Sequence, residues 1–302
     1  MPEVFAAADI GSNTVHLLVA GMSSTGMQRL LNESEWLSLG QVVSHEGRIP
    51  SELVDRLIST LGTFRAHAKV HSSKGLYVFA TEAMRKAANY RDVIKRLEKA
   101  TNIKVDLISP NREAELGLKG ALLDCPQLER FLLVETGGGS VQLALCEGPE
   151  ILAECSLPIG TGVLIDKAKL KQPCTATSVN SAERLVKQSL AGLIGFEGAE
   201  AVVASGGVAR GLWRALHPDG ERVLHVKEME FLSWSTRHLN QTTISKRYGV
   251  KAKRAVTLMP GAVIYQAVLS QFGIDQMTVS QFGVREGAIL EMSQGRIAPC
   301  PL

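Results

Sequence analysis

Two carboxylates in the sequence each precede a turn of small residues that could bind phosphate. Asp9 ends the apolar segment of VFAAADIGSNTVHLLVAG, and Glu135 ends that of RFLLVETGGGSVQLALCEG. When the two stretches are aligned, the carboxylates coincide, and so do the first glycine, the hydroxyl residue and the V-x-L that follow. The pattern therefore predicts the same hairpin twice: a strand, an acid, a turn and a returning strand.

Each predicted turn consists of small residues, which let backbone N–H groups approach an anion without obstruction from side chains. A carboxylate beside such a turn does not bind phosphate, but it can hold Mg²⁺, which takes one or two protein carboxylates together with phosphate oxygens. We therefore predict that Asp9 and Glu135 are ligands of Mg²⁺, with Mn²⁺ as an alternative. Either turn alone would fit an ordinary hairpin, and the repetition favours phosphate binding. The predicted phosphate-binding residues are Gly11, Ser12, Asn13, Thr14, Gly137, Gly138, Gly139 and Ser140.

A glycine pair follows another apolar segment in the second half of the chain. Residues 201–204 are predicted to form a strand, and Ser205, Gly206 and Gly207 connect it to a helix over about 208–216. A helix N-terminus favours anions, so these three residues are predicted to add to the phosphate site. A tight packing turn is an equally good interpretation of the same residues.

Glu113 and Arg85 are the candidate catalytic residues. Ser109 and Pro110 fit an N-cap followed by a first helical position, which predicts a helix over 111–122 with Glu113 in its first turn. The helix dipole there favours an ionised carboxylate, which is the form that a general base needs. The alternative is that Glu113 only complements the helix dipole and has no catalytic role. Arg85 follows a predicted buried strand and could bind phosphate with two nitrogens. A surface arginine at the start of a helix is the alternative.

The composition is that of an ordinary globular protein, with 45% hydrophobic and 21% charged residues among 302. The net charge of +3 is too small to indicate nucleic acid as a partner. No apolar run approaches the roughly 20 residues of a membrane-spanning helix, and no secretory leader is evident, so we expect a cytoplasmic protein. The five cysteines include no C-x-x-C pair, which disfavours a disulfide framework or a zinc site.

Apolar segments with strand and helix periods alternate along the chain, which predicts an α/β fold. A third strand is predicted over Trp36–Leu39, beside the first hairpin. Because the two hairpins begin about 126 residues apart, we predict two domains, residues 1–124 and 125–302, with a boundary near Asp124–Leu128. The last predicted helix, 286–294, falls in the second of these domains.

An ordered set of short sequences resembles the exopolyphosphatase / guanosine pentaphosphate phosphohydrolase family of the actin-like ATPase superfamily. The segments run from ADIGSNTVHLLV through ATEAMRKAANY, LISPNREAELGLKGA, LLVETGGGSVQLAL, SLPIGTG and VVASGGVARGL to VSQFGVREGAIL. The resemblance implies two actin-like (ribonuclease H-like) domains with the active site in the interdomain cleft. It also implies hydrolytic release of a terminal phosphate, in which Glu113 activates the attacking water. Arg85 matches the arginine of the family's A-T-x-A-x-R element. Asp9 and Glu135 map to the acids of the two loops.

The sequence departs from the family pattern at three positions. Glu135 stands where the family has Asp in D-x-G-G-G-S-x-E, Gln142 stands where that pattern ends in Glu, and Ser38 stands where relatives often have Arg. The longer Glu135 side chain can still reach Mg²⁺, so we expect the site to be retained. We expect the missing charge at position 142 to lower metal affinity or to change metal preference.

These features predict an exopolyphosphatase that releases terminal phosphate from inorganic polyphosphate, with guanosine pentaphosphate as the alternative substrate. Two other functions stay open. One is a kinase-like enzyme that transfers phosphate to an acceptor, and the other is a regulator that binds guanosine tetra- or pentaphosphate without hydrolysis. No nucleic-acid or membrane partner is expected, and a homodimer is an open alternative to a monomer.

Overall fold

The computed structural model describes residues 2–24, 26–125 and 129–302. The chain forms two compact units: unit 1 comprises Met1–Leu123 and Phe282–Leu302, and unit 2 comprises Asp124–Gln281. The unit boundary lies one residue from the predicted one, and residues 126–128 of the predicted boundary region lie outside the described residues. The C-terminal segment differs from the prediction, because it folds with unit 1 and not with the second domain.

Unit 1 contains a five-stranded sheet in the order β3-β2-β1-β4-β5. Its first three strands are antiparallel, whereas β4 and β5 run parallel to β1. The inner strands β1 and β4 are apolar at nearly every position because both faces of the sheet are covered. The strands are β1 (Glu3–Ile10), β2 (Thr14–Ser23), β3 (Gly26–Trp36), β4 (Leu76–Ala80) and β5 (Val105–Leu107).

Helices pack on both faces of this sheet. Helix α2 covers one face with its apolar stripe, and helices α5 and α12 cover the other. The last of these lies in the C-terminal segment, which explains why that segment belongs to unit 1. The helices of unit 1 are α1 (Leu39–Glu46), α2 (Ser51–Val70), α3 (Glu82–Lys86), α4 (Tyr90–Thr101), α5 (Pro110–Ala121) and α12 (Val284–Ser293).

Unit 2 contains a six-stranded sheet in the order β10-β11-β9-β6-β7-β8. Its strands are β6 (Arg130–Thr136), β7 (Val141–Glu147), β8 (Glu150–Leu157), β9 (Ala201–Ser205), β10 (Val223–His225) and β11 (Gln276–Val279). Its helices are α6 (Thr161–Lys167), α7 (Ala176–Leu190), α8 (Gly206–Leu216), α9 (Val226–Arg237), α10 (Gln241–Arg247) and α11 (Ala252–Phe272).

The two sheets repeat one topology, as the duplicated hairpin predicts. In each unit an antiparallel meander of three strands has its first strand inside the sheet, and two parallel strands extend the sheet from there. Strands β1, β2, β3, β4 and β5 therefore correspond to β6, β7, β8, β9 and β11.

The predicted strand over Trp36–Leu39 is wrong in its position. Strand β3 ends at Trp36, and helix α1 begins at Leu39. The strand itself spans Gly26–Trp36 at the edge of the sheet, where polar residues such as Arg29 and Glu33 take the half-buried positions. Because no apolar alternation marks such an edge strand, the sequence pattern did not locate it.

Helix α11 is long and apolar enough to cross a membrane by length and composition. However, most of its apolar stretch is buried inside the structure. The helix packs against α7, α8 and α9, and its Tyr265 is fully buried. Its apolar composition is therefore that of a core helix of unit 2.

Candidate active site

The first predicted loop follows strand β1 in unit 1. Asp9 lies near the end of that strand, and a hydrogen bond of 3.1 Å from Gly11 N to Thr14 O closes the turn. The Ser12 carbonyl accepts a hydrogen bond from Gly40 N at 2.7 Å, and the Asn13 carbonyl accepts two from the residues just before α1. The segment that starts α1 thus fixes the loop through hydrogen bonds to the loop carbonyl groups.

The second predicted loop has the same construction in unit 2. Glu135 lies near the end of β6, and Gly137 N donates to Ser140 O at 2.9 Å. The next two carbonyls accept hydrogen bonds from the segment that starts α6: Gly138 O from Gly162 N at 2.8 Å, and Gly139 O from Gly160 N at 3.0 Å.

A glycine is required at position 160 for this contact. A Cβ on Gly160 would lie 2.5 Å from the carbonyl carbon of Gly138 and 2.6 Å from Ser140 N. Gly40 has the equivalent place in unit 1, where a Cβ would lie 2.8 Å from the Cβ of Ser12. Neither glycine was among the predicted site residues, although Gly160 lies in SLPIGTG, one of the segments that carried the family resemblance.

The held carbonyl groups fix the direction of the loop N–H groups. In a trans peptide the C=O and the following N–H point in opposite directions, and the one cis peptide bond of the described residues is Gln172-Pro173. The N–H groups of Asn13 and Thr14 therefore point away from the start of α1, and those of Gly139 and Ser140 point away from the start of α6. Two successive N–H groups with a common direction are suited to binding a phosphate oxygen.

The structure brings the two predicted catalytic residues together. Glu113 lies in the first turn of α5, whose N-cap is Ser109 as predicted, with Ser109 Oγ accepting from Arg112 N at 3.2 Å. Arg85 lies in α3, directly after β4, and both of its terminal nitrogens lie 3.1 Å from Glu113 Oε2. Arg85 Nη1 also donates to the Ile108 carbonyl at 2.7 Å, so the guanidinium ties α3 to the start of α5.

The ion pair is largely sheltered from solvent, with side-chain exposures of 19% for Arg85 and 14% for Glu113. Shielding from water strengthens such a pair and limits the orientations that the carboxylate can adopt. A carboxylate with a fixed orientation can accept a proton from a water molecule placed at its second oxygen. Arg85 is thus not a surface arginine, which was the alternative interpretation.

The Ser205-Gly206-Gly207 segment lies against the acid of the second loop. Strand β9 pairs with β6, which sets Ser205 beside Glu135, and Ser205 Oγ donates to Glu135 Oε2 at 3.1 Å. Gly206 has a φ of +84°, and a Cβ there would lie 3.0 Å from Glu135 Oε1. The turn therefore packs tightly on Glu135 at the N-terminus of α8, and both interpretations of the segment fit this geometry.

Arg254, which was not among the predicted site residues, lies in α11 beside the start of α8. Its terminal nitrogens lie 3.5 Å from the position that a Cβ on Gly207 would occupy. Burial and, to a smaller extent, the neighbouring Arg214 lower the pKa of Arg254. An anion at the N-terminus of α8 would meet this cation. The basic run KAKR was the only signal of it in the sequence.

The carboxylate and hydroxyl oxygens of the two loops fit Mg²⁺, which prefers hard oxygen ligands. Within residues 2–24, 26–125 and 129–302, no three His, Cys, Asp or Glu side chains gather at one point. Each loop instead offers one carboxylate, from Asp9 or Glu135, and a hydroxyl residue at its end. Mg²⁺ needs few protein ligands of this hard-oxygen type when phosphate and water supply the others. That the two acids share one ion stays a prediction.

The structure is a duplicated α/β fold with an acid before a turn of small residues in each unit, which is the construction of the actin-like ATPase class. The model of the Ppx/GppA phosphatase family matches residues 18–295. The chain therefore belongs to the Ppx/GppA phosphatase family. This result confirms the family, the α/β fold of two actin-like units and the prediction of an enzyme of a phosphatase family.

Two relatives indicate the range of proteins that the chain resembles. Exopolyphosphatase 1 of Mycobacterium leprae is 27% identical over 300 residues, which cover 93% of this chain and 87% of that protein. The guanosine-5'-triphosphate,3'-diphosphate pyrophosphatase of Vibrio cholerae is 25% identical over 298 residues, which cover 96% of this chain. That alignment covers 59% of the Vibrio protein, so the chain spans little more than half of its length.

Solved structures share the fold over nearly the whole chain. An exopolyphosphatase from Cytophaga hutchinsonii has a TM-score of 0.88 at 24% identity, with 98% of this chain and all of that chain covered. The Ppx/GppA family member of Aquifex aeolicus has a TM-score of 0.84 at 22% identity and covers 99% of this chain. At these identities the likeness establishes the fold alone.

Proposed function

We propose that this chain is an exopolyphosphatase, which hydrolyses the terminal phosphate of inorganic polyphosphate. The observation that carries the proposal is the sheltered pair of Arg85 and Glu113, because it fixes the orientation of a carboxylate that could serve as a general base. The two phosphate loops support it, since their repeated construction suits a substrate that consists of repeated phosphate groups.

Each predicted residue has a defined task in this proposal. Asp9 and Glu135 would hold Mg²⁺, or alternatively Mn²⁺, and the bound ion would neutralise charge on the phosphate chain. The N–H groups of the two loops and of the Ser205–Gly207 turn bind phosphate oxygens. Glu113 takes a proton from the attacking water, and Arg85 keeps the Glu113 carboxylate in place and offsets negative charge that develops on the phosphate.

The comparison favours polyphosphate over guanosine pentaphosphate as the first substrate to test. The chain covers 87% of the relative named as an exopolyphosphatase, but only 59% of the relative named as a guanosine pyrophosphatase. Guanosine pentaphosphate stays the second candidate, because both substrates present a terminal phosphoanhydride to the same groups.

Phosphate release with Mg²⁺ or Mn²⁺ tests the proposal, using polyphosphates of graded length beside guanosine pentaphosphate and ATP. We expect release from polyphosphate by the wild type and much slower release by the Glu113→Gln variant. Turnover of ATP that needs an added acceptor would identify the kinase-like alternative. Tight binding of guanosine tetra- or pentaphosphate without release would identify the regulator, which the departures at Glu135 and Gln142 keep open.

Three further expectations accompany the proposal and stay predictions. The protein is expected in the cytoplasm and is not expected to bind nucleic acid. A homodimer remains open beside a monomer, and light scattering after size-exclusion chromatography distinguishes the two states.

A further inference from the structure

Gln142 carries a buried hydrogen-bond donor that none of the described residues satisfies. Its side chain is 8% exposed, and Nε2 has no hydrogen-bond partner in the described part of the chain. Buried polar groups are nearly always hydrogen-bonded, because a donor that is shielded from water and left unpaired lowers stability. The exception at this position therefore needs an explanation.

The position of Gln142 connects this donor with the second phosphate loop. Gln142 lies on β7, two residues after the loop residue Ser140, and is directly opposite Glu135 on β6. Side chains of directly opposed residues in an antiparallel pair lie on the same face, with Cβ atoms about 4.5–5.5 Å apart. On its other side Gln142 is opposite Ser156 of β8, which is exposed.

The residues beside Gln142 do not accept a hydrogen bond from its amide nitrogen. Glu135 Oε2 accepts its hydrogen bond from Ser205 Oγ, and the Gln142 Nε2 group donates to neither residue. An amide NH₂ group is a donor without charge, so it suits an anionic oxygen and not a cation. In the loop beside it, the backbone N–H groups of Gly139 and Ser140 share a direction.

We propose that Gln142 Nε2 donates a hydrogen bond to an oxygen of the phosphate chain at the Gly137–Ser140 loop. This inference rests on the proposed function and specifies how the second loop recognises its substrate. A Glu at this position would repel the same oxygen unless a cation lay between them. Gln142 therefore makes phosphate binding at this loop less dependent on a divalent ion.

Fluorescence anisotropy of end-labelled polyphosphate with the full chain tests this inference, once in EDTA and once in Mg²⁺. We expect Gln142→Met, which removes the donor at similar volume, to raise Kd in EDTA by about tenfold, the loss expected for one hydrogen bond to a charged group. Gln142→Glu adds a negative charge and should raise Kd further, with a smaller effect in Mg²⁺. The matched control Gln271→Glu adds the same charge at an exposed position near the far end of α11 and should change Kd less than twofold.

Thermal unfolding without ligand gives a second readout. If the amide serves the substrate and not the fold, Gln142→Met should unfold at the same temperature as the wild type or higher, because it removes an unpaired donor. Unchanged polyphosphate affinity in Gln142→Met would overturn the inference and leave the proposed function intact. Tighter binding by Gln142→Glu in EDTA would also overturn it. Absence of both polyphosphate binding and phosphate release in the wild type would instead refute the proposed function.

Discussion

Arg85 and Glu113 meet at a single oxygen, since both terminal nitrogens of the guanidinium lie 3.1 Å from Glu113 Oε2. The same guanidinium donates a hydrogen bond to the carbonyl of Ile108, two residues before the start of α5, the helix that carries Glu113. The position of the candidate base thus depends on helix α3 as much as on its own helix α5. This dependence makes the two residues one functional unit and leads to two predictions.

Replacing Glu113 with Gln should remove the base while the shape of the side chain is kept. We expect kcat for phosphate release to fall by about 10²- to 10⁴-fold, and the Kd for polyphosphate to change little. Initial rates and anisotropy with the same preparation measure both quantities. Glu115→Gln is the matched control, because Glu115 pairs with Arg112 on another face of α5 and is half exposed. A rate near that of the wild type would reassign the base.

Arg85→Lys should be nearly as damaging as Arg85→Ala, since a lysine keeps the charge but cannot bind Ile108 and Glu113 in the geometry of a guanidinium. We expect kcat to fall by about 10²-fold or more in both variants. In the double variant Arg85→Ala with Glu113→Gln, the losses should not add, because the two residues act together. Fully additive losses would show that Arg85 acts independently of Glu113.

Gly160→Ala should disrupt the second loop, because the new Cβ would lie 2.5 Å from the carbonyl carbon of Gly138. We expect the free energy of unfolding to fall by about 1–3 kcal/mol and polyphosphate affinity to fall with it. Gly192→Ala is the matched control, since a Cβ at Gly192 would meet no atom within 4 Å. Urea titration and anisotropy of both variants measure the effects. Equal stability of the two variants would contradict the described contact.

Glu291 should make unit 1 sensitive to acid. Burial alone would raise the pKa of this carboxyl, but hydrogen bonds from Lys119, Arg296 and Arg112 outweigh burial and lower the pKa to about 2 from 4.5. The stabilisation is therefore present above about pH 4.5 and is lost as the pH falls towards 2. Two of the three cations lie on α5, so the group also ties that helix to α12.

Urea unfolding between pH 2.5 and 7 measures this effect. Glu291→Gln should be less stable at pH 7 by about 2 kcal/mol, below the loss for a fully buried pair because its partners are partly exposed. The variant should also show a weaker loss of stability below pH 4.5 than the wild type. Glu46→Gln, which removes an exposed charge in the same unit, should keep the pH dependence of the wild type. Parallel pH curves for all three proteins would exclude a role for Glu291.

The sequence predicted those parts of the site that rest on local patterns. The acid and turn of each hairpin, the Ser109 cap of α5 and the strand before Arg85 all have short-range signals, and the structure has them in place. It did not predict α1 or α6, because helices of eight and seven residues are too short for a clear helical period. The segments that start these two helices donate hydrogen bonds to the loop carbonyl groups. The direction of the loop N–H groups therefore could not be predicted from the sequence either.

The pairing of Arg85 with Glu113 was likewise not predictable, since each residue had a separate local interpretation. Their meeting depends on β4 and β5 being neighbours in the sheet, which brings the segments after those strands together. The place of Phe282–Leu302 in unit 1 depends on contacts of α12 with α5 that are distant in sequence. Close packing makes these contacts: a Cβ on Gly287 would lie 1.9 Å from the Leu116 carbonyl oxygen.

The discontinuous unit 1 has a consequence for protein synthesis. Unit 2 is one continuous segment, Asp124–Gln281, and is complete in sequence before α12 leaves the ribosome. Unit 1 comes earlier in the chain but lacks α12, one of the two helices that cover one face of its sheet, until the segment Phe282–Leu302 emerges. The usual order, in which the N-terminal domain folds first during translation, should therefore be reversed. Until then part of an apolar sheet face stays uncovered, so we expect the nascent chain to be prone to aggregation.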